Sequence, residues 1–178
     1  MNIILVMVIT ADGKTTKWTE SAVHDWSSHE DKKHFQLLKS RHRLIVMGRK
    51  TYERIKSEIV LSTDTLRIVM TQRPSDFSRD AVDGQLEFTD EPVATLIKRL
   101  EAKGYETMLL VGGSRLNTEF LNNKLINECY LTIEPRFFGS GNNLFANTKA
   151  NVSLELMELR QLNHQGTLMV HYRLHYDH

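Results

Sequence analysis

Apolar residues in this chain come in short blocks whose spacing changes along its length. Residues 3–9 form an unbroken apolar, β-branched run, as expected of a strand buried on both faces, and it stops at the turn signal Ala11-Asp12-Gly13. Residues 14–25 are polar and irregular, with Trp18 and Trp26 near their ends. A loop of that length in a small domain is more often functional than decorative. The pattern then predicts a helix over 29–40, a strand over 44–47, a helix opened by Gly48 over about 50–56, and a strand over 66–70 closed by Thr71-Gln72-Arg73-Pro74. Residues 75–85 read as loop and 86–88 as a short strand. Helical periodicity returns over 90–103 through Val93, Leu96, Ile97 and Leu100, with Asp90 as the expected N-cap and Gly104 as the stop. A strand over 107–111 runs into Gly112-Gly113-Ser114, a short helix follows to about 123, and a strand covers 128–134. After a glycine-rich turn at 137–143, two alternating segments, 154–162 and 168–176, join at His164-Gln165-Gly166 as an antiparallel hairpin. Strands alternating with helices, closed by a hairpin, predict one α/β domain over 1–178: a mostly parallel central sheet with flanking helices and an antiparallel edge.

Composition narrows this picture without redirecting it. With 178 residues, 40% hydrophobic and 25% charged, the chain suits a single domain. A net charge of +1 gives no sign of nucleic-acid or membrane electrostatics. No apolar run reaches the ~18 residues of a membrane span, and residues 2–9 lack the basic start and small-residue cleavage site of a signal peptide. The lone Cys129 has apolar neighbours and reads as a small buried hydrophobe. A reducing cytoplasm is the expected compartment.

The candidate chemistry begins with Asp31. On a helix starting near Ser28, Asp31, Phe35 and Leu38 share one face, and the two apolar residues mark that face as buried. A carboxylate there must pair, take a proton, or meet a ligand with matching donors. The plainer reading is a capping box, since Ser28-x-x-Asp31 and Ser27-x-x-Glu30 both fit one, and a first-turn acid suits the helix dipole. Two strand-to-helix junctions, Gly48-Arg49-Lys50-Thr51 and Gly112-Gly113-Ser114-Arg115, offer free amides and close backbone approach at the carboxyl ends of strands. With Arg73 at another strand end they suggest a nucleotide bearing several phosphates; ordinary tight turns with a solvated basic rim are the alternative. Neither junction matches a Rossmann or P-loop pattern. His29-Glu30 with His34 misses the zinc-protease spacing by one residue, so no metal is expected, and no Ser or Cys has a nucleophile's elbow context.

Five pieces in order carry a family resemblance: Trp26 five residues before Asp31, Phe35 a turn later, Met47-Gly48-Arg49-Lys50-Thr51-Tyr52-Glu53, Val111-Gly112-Gly113-Ser114-Arg115, and Tyr130-Leu131-Thr132. On these the chain resembles dihydrofolate reductase and the wider dihydrofolate-reductase-like group, which includes the reductase of riboflavin biosynthesis. The resemblance implies that Asp31 binds the amino edge of a pterin, Thr132 supports that carboxylate, and Trp26 orders a nearby water. It implies that Val8, Phe35 and Ile55 line the substrate. It assigns NADPH to Ala11, Gly48, Arg49, Lys50, Thr51, Thr71, Gln72, Arg73, Gly112, Gly113, Ser114, Arg115 and Leu116, with Gln72 and Arg73 where the family reads the 2′-phosphate.

Two stretches depart from the folate pattern. Residues 56–67 lack the proline-glycine turn before the arginine that grips the glutamate tail, which displaces Arg67 from that task. Residues 123–145 read more like the riboflavin branch, whereas its acidic-proline segment after the second helix is missing and Asp31 favours the folate branch. The resulting expectation is NADPH-dependent reduction of 7,8-dihydrofolate. Reduction of a ribosylaminopyrimidine is the alternative within the fold, and a nucleotide-binding module without turnover the alternative outside it. The expected partners are a small pterin or pyrimidine and no nucleic acid or membrane, with the chain a monomer or homodimer.

Overall fold

The computed structural model describes residues 1–18 and 25–176, and part of the long loop after the first strand therefore lies outside the described residues. Eight strands form one sheet in the order β4-β3-β2-β5-β1-β6-β8-β7. They are β1 (Asn2–Thr10), β2 (Leu44–Gly48), β3 (Leu66–Met70), β4 (Leu86–Thr89), β5 (Thr107–Leu110), β6 (Glu128–Glu134), β7 (Val152–Gln161) and β8 (Leu168–Tyr176). Pairing is parallel from β4 across to β6 and antiparallel for β6–β8 and β8–β7. The predicted fold class is the observed one.

The unbroken apolar runs are explained by helices on both faces of the sheet. On one face Ile3, Leu5, Val46 and Leu110 pack with residues of α3 (Val93–Ala102) and α4 (Ser114–Asn122), among them Leu96 and Phe120. On the other, Ile4, Ile45, Met47 and Leu109 pack with Leu38 of α1 (His29–Arg41) and Tyr52 of α2 (Arg49–Ile55). Alternate residues of each central strand thus serve two separate cores. Cys129 is buried in the first core, where burial pushes its thiol up to about 12. Among the described residues no helix is long and apolar enough to cross a membrane.

Whereas α2 begins one residue early at Arg49, the helix start displaced furthest is that of α3. It begins at Val93 with Pro92 as N-cap, so Asp90 is not the cap that the periodicity predicted. Proline disfavours helical backbone in the residue before it. Thr89 Oγ1 accepts the Glu91 N–H at 3.1 Å and Arg99 Nε donates to Glu91 at 3.0 Å, which holds the approach to the helix in place. The pattern also missed a 3-10 turn over Pro74–Phe77, inside the segment read as loop. At the far edge, Leu154, Leu156 and Leu159 of β7 are exposed, and register sets them beside Leu174, Tyr172 and Val170.

Candidate active site

Sheet register assembles the acidic corner of the molecule. Val8 of β1 pairs with Thr132 of β6, and Thr10 with Glu134, so these four side chains share one sheet face at the carboxyl ends of neighbouring parallel strands. It is the face that carries α1. All four are buried, as is Asp31 in the first turn of the helix at 9% exposure. Phe35, a turn further on, is half-buried with Lys39 Nζ 4.9 Å from its ring centroid, and Leu38 is in the core. Ile55, at the end of α2, is half-buried against the same core.

The start of α1 decides between the two readings of Asp31. Ser28 is the N-cap, and its Oγ accepts the Asp31 N–H at 3.2 Å. In a capping box the Asp31 carboxylate would reach back to the Ser28 N–H. Here that N–H donates to Glu134 Oε1 at 2.6 Å instead. Only the backbone of Asp31 takes part in the cap, and its carboxylate is left for other work. The second possible box is absent as well: Glu30 Oε2 accepts from Asn163 at 3.1 Å, and Ser27 Oγ is buried without a hydrogen-bond partner.

Burial is the main reason that the Asp31 carboxyl is held above the ordinary carboxylate range. The nearby Thr132 and Ser27 hydroxyls pull the other way, Glu134 adds an upward push, and Lys32 a weak downward one. Ser27 Oγ closes no hydrogen bond of regular geometry, so its pull is weak and burial prevails. Trp26 is buried at 4% exposure, packs edge-on against Phe138 at 5.1 Å, and has an indole N–H with no partner among the described residues. A buried donor without a partner is uncommon and marks a place where a ligand or water is accommodated. Asp12 fixes the loop that bears Phe138: its carboxylate accepts the Phe138 and Gly139 N–H groups, the latter at 2.8 Å.

The second cluster is made of backbone. Gly48 N–H donates to Gly112 O at 2.7 Å, which brings the ends of β2 and β5 together beneath the starts of α2 and α4. A Cβ added at Gly48 would lie 3.6 Å from Gly113 N, and one at Gly113 would lie 3.5 Å from Thr51 Oγ1. Neither helix has a side-chain cap, which leaves first-turn amides to be satisfied by other means. Gly112 has φ +88°, a conformation that glycine adopts without strain.

Charged side chains around this cradle are exposed or already engaged. Arg49 pairs with Glu53 at 2.8 Å, Lys50 and Arg115 are exposed, and Leu116 is buried. Arg73 is 70% exposed and 3.5 Å from Asp76, beside the exposed Gln72, and Thr71 Oγ1 accepts the Arg73 N–H at 3.3 Å. Ser114 Oγ donates to Asn143 O, so it ties down the glycine-rich loop. Ala11, exposed after β1, is held by its N–H to Arg136 O at 2.9 Å. Arg67 lies half-buried on β3 and donates to Thr65 O at 3.4 Å.

Sequence reasoning missed Glu134 and Asp12. The spacing Thr132-x-Glu134 carried a usable signal, because alternate residues of a strand share a face. An acid one step beyond Thr132 at a strand end therefore had to lie beside whatever Thr132 faces.

These features define an α/β domain with an acidic corner and a glycine cradle at the carboxyl ends of its parallel strands. The RibD C-terminal domain model matches residues 1–168, and the chain belongs to that family. It is 25% identical to the uncharacterized Bacillus subtilis protein YyaP over 178 residues, covering 96% of this chain and 93% of YyaP. A pyrimidine reductase-like protein from Corynebacterium diphtheriae has the same fold, with TM-score 0.78 and 14% identity over 99% of this chain and 92% of that one. RibD of Acinetobacter baumannii matches with TM-score 0.77 and 15% identity, over 98% of this chain and 58% of that one.

Proposed function

We propose that this protein is a nicotinamide-dependent reductase of the riboflavin-pathway type, which reduces a C=N bond in a phosphoribosylaminopyrimidine with NADPH as hydride donor. Membership of the RibD C-terminal domain family moves the weight from dihydrofolate to this substrate class. The observation that carries a catalytic reading is the Ser28 N–H bound by Glu134, which releases the buried Asp31 carboxylate from capping. A module that only bound a dinucleotide would need neither that carboxylate nor Thr132 and Trp26 beside it.

In a phosphoribosylaminopyrimidine the C=N arises when the furanose opens: the C1′–O4′ bond breaks, O4′ takes a proton and the amine nitrogen loses one. Reduction then adds a hydride to C1′ and a proton to nitrogen. A reduced nicotinamide supplies the hydride when bound. The protein's share is alignment, exclusion of water and delivery of the proton. Asp31, held above the usual carboxylate range by burial, is placed to pass a proton on directly or through a water at the Trp26 indole. Val8, Phe35 and Ile55 form apolar walls. Gly48, Gly112 and Gly113 fit a pyrophosphate, because glycines let a ligand approach the backbone and the helices that begin beside them carry no side-chain cap. Thr51, Ser114, Arg115 and Leu116 complete that cradle. Arg49, Lys50, Thr71, Gln72 and Arg73 would serve the ribose and its 2′-phosphate, and Ala11 the nicotinamide.

The folate reading keeps one specific support, the Asp31–Thr132 pair suited to an amidine edge. Incubation with NADPH and each of three compounds separates the readings: 5-amino-6-(5-phosphoribosylamino)uracil, dihydrofolate and a tail-less dihydropterin. Oxidation of NADPH with the pyrimidine and not with the pterins is the expected result. Turnover of dihydrofolate alone would assign the protein to the folate branch, and no turnover with any of them would remove the reductase reading.

A further inference from the structure

Glu134 stands outside the set of residues that the family resemblance picks out, yet it is the best-held acid in the site. It is 3% exposed. Its Oε1 accepts the Ser28 N–H at 2.6 Å and its Oε2 accepts the Thr167 hydroxyl at 2.8 Å. Thr167 Oγ1 in turn accepts from Asn163 Nδ2 at 3.0 Å, and the same nitrogen donates to Glu30 Oε2 at 3.1 Å. The β7–β8 turn, the end of β6 and the first turn of α1 are thereby locked through one carboxylate. Burying a charge is costly unless its hydrogen bonds are made, and both oxygens of Glu134 have theirs.

We propose that Glu134 is a positioning residue for Asp31: it clamps the start of α1 through Ser28 and sets a second buried carboxyl group against the first, so that the pair presents a proton to the substrate nitrogen. The proposal rests on the reductase reading for its last step only. Like charges sharing a buried site disfavour ionisation of both together. Burial first, and the neighbouring Glu134 second, hold the Asp31 carboxyl above the ordinary carboxylate range. Among the described residues the charged groups bearing on Asp31 are Glu134 from β6 and Lys32 from its own helix, while the β7–β8 turn brings the uncharged Thr167 to Glu134.

The test is carbon-13 NMR of Asp31 labelled at its carboxyl, titrated in the protein without substrate or cofactor. Glu134→Gln retains an acceptor for Ser28 and removes the charge. The Asp31 titration is expected to move to lower pH in this variant, and the alkaline limb of kcat/KM for C=N reduction to move with it, with about a tenfold loss at mildly alkaline pH and little loss at acid pH. An Asp31 titration that stays in place in a folded Glu134→Gln protein overturns the proposal, because a purely structural clamp would leave it there. Should Glu134→Gln fail to fold, Glu134→Asp and Glu134→Asn make the same comparison at equal size: a lower Asp31 titration in the Asn variant supports the pair, and equal titrations overturn it. If the parent protein reduces none of the offered substrates, the reductase reading falls, and the NMR titration still decides the relation of Glu134 to Asp31.

Discussion

The acidic corner and the glycine cradle lie at the same end of the sheet, yet they are built in opposite ways. The corner is made of side chains: Asp31, Thr132, Glu134 and Trp26 are all buried, and their mutual geometry is fixed by strand register and by the clamp on Ser28. The cradle is made of main chain, with Gly48 and Gly112 joined directly and the surrounding cations at the surface. The difference teaches where each kind of specificity resides. A proton must be delivered to one atom and needs a group that cannot move. A phosphate can be held by several amides and cations, none of them indispensable.

The largest effect is expected in the corner. Asp31→Asn should slow reduction by about 10² or more while NADPH binding, followed by fluorescence, is unchanged. Unaltered turnover would make Asp31 an ordinary first-turn residue and dissolve the contrast. The same variant has a signature in stability. A carboxyl whose pKa is raised by folding binds more protons in the native state than in the unfolded chain, so the parent loses stability as pH climbs above the ordinary aspartate value of 3.8 toward and through the folded value. Asp31→Asn removes that loss, and urea melts should show a stability less dependent on pH over that window, with neutral-pH stability equal to the parent's or better.

An intermediate effect is expected in the cradle. Gly48→Ala and Gly113→Ala meet neighbours no closer than 3.5 Å and neither glycine has positive φ, so thermal melts should change little. NADPH affinity should fall by about 1–2 kcal/mol, the range for forcing a methyl group into a fitted contact. A loss of stability without a loss of affinity would mean that the glycines serve packing between β2 and β5 alone.

The smallest effect is expected at the rim. Arg73→Ala should weaken NADPH by about 1 kcal/mol, the low end for a charged hydrogen bond because the side chain is 70% exposed, and leave NADH nearly untouched. The difference should shrink as salt is added. Equal losses for both cofactors would take 2′-phosphate reading away from this arginine.

Much of this was legible in the chain by itself. Among the described residues periodicity located every strand and every α-helix, three strands, β3, β6 and β8, to the residue, because buried parallel strands need unbroken apolar runs and amphipathic helices repeat their apolar positions at helical spacing. Errors fell where competing local bonds outweigh periodicity, as at Pro92, where Thr89 and Arg99 hold the chain before α3 begins. The anomaly of Asp31 was equally visible, since a carboxylate on an apolar helical face breaks a pattern. Its meaning was not. Whether Asp31 caps its helix depends on who takes the Ser28 N–H, and the answer lies 106 positions further along the chain, at Glu134. Pairing partners so distant are chosen by the order and register of the strands, which a local pattern does not encode. The sequence supplied the acid, the hydroxyl and the glycines; only the folding of β6 against β1 and of the β7–β8 turn against α1 decided which carboxylate would hold the helix and which would be left out of the cap.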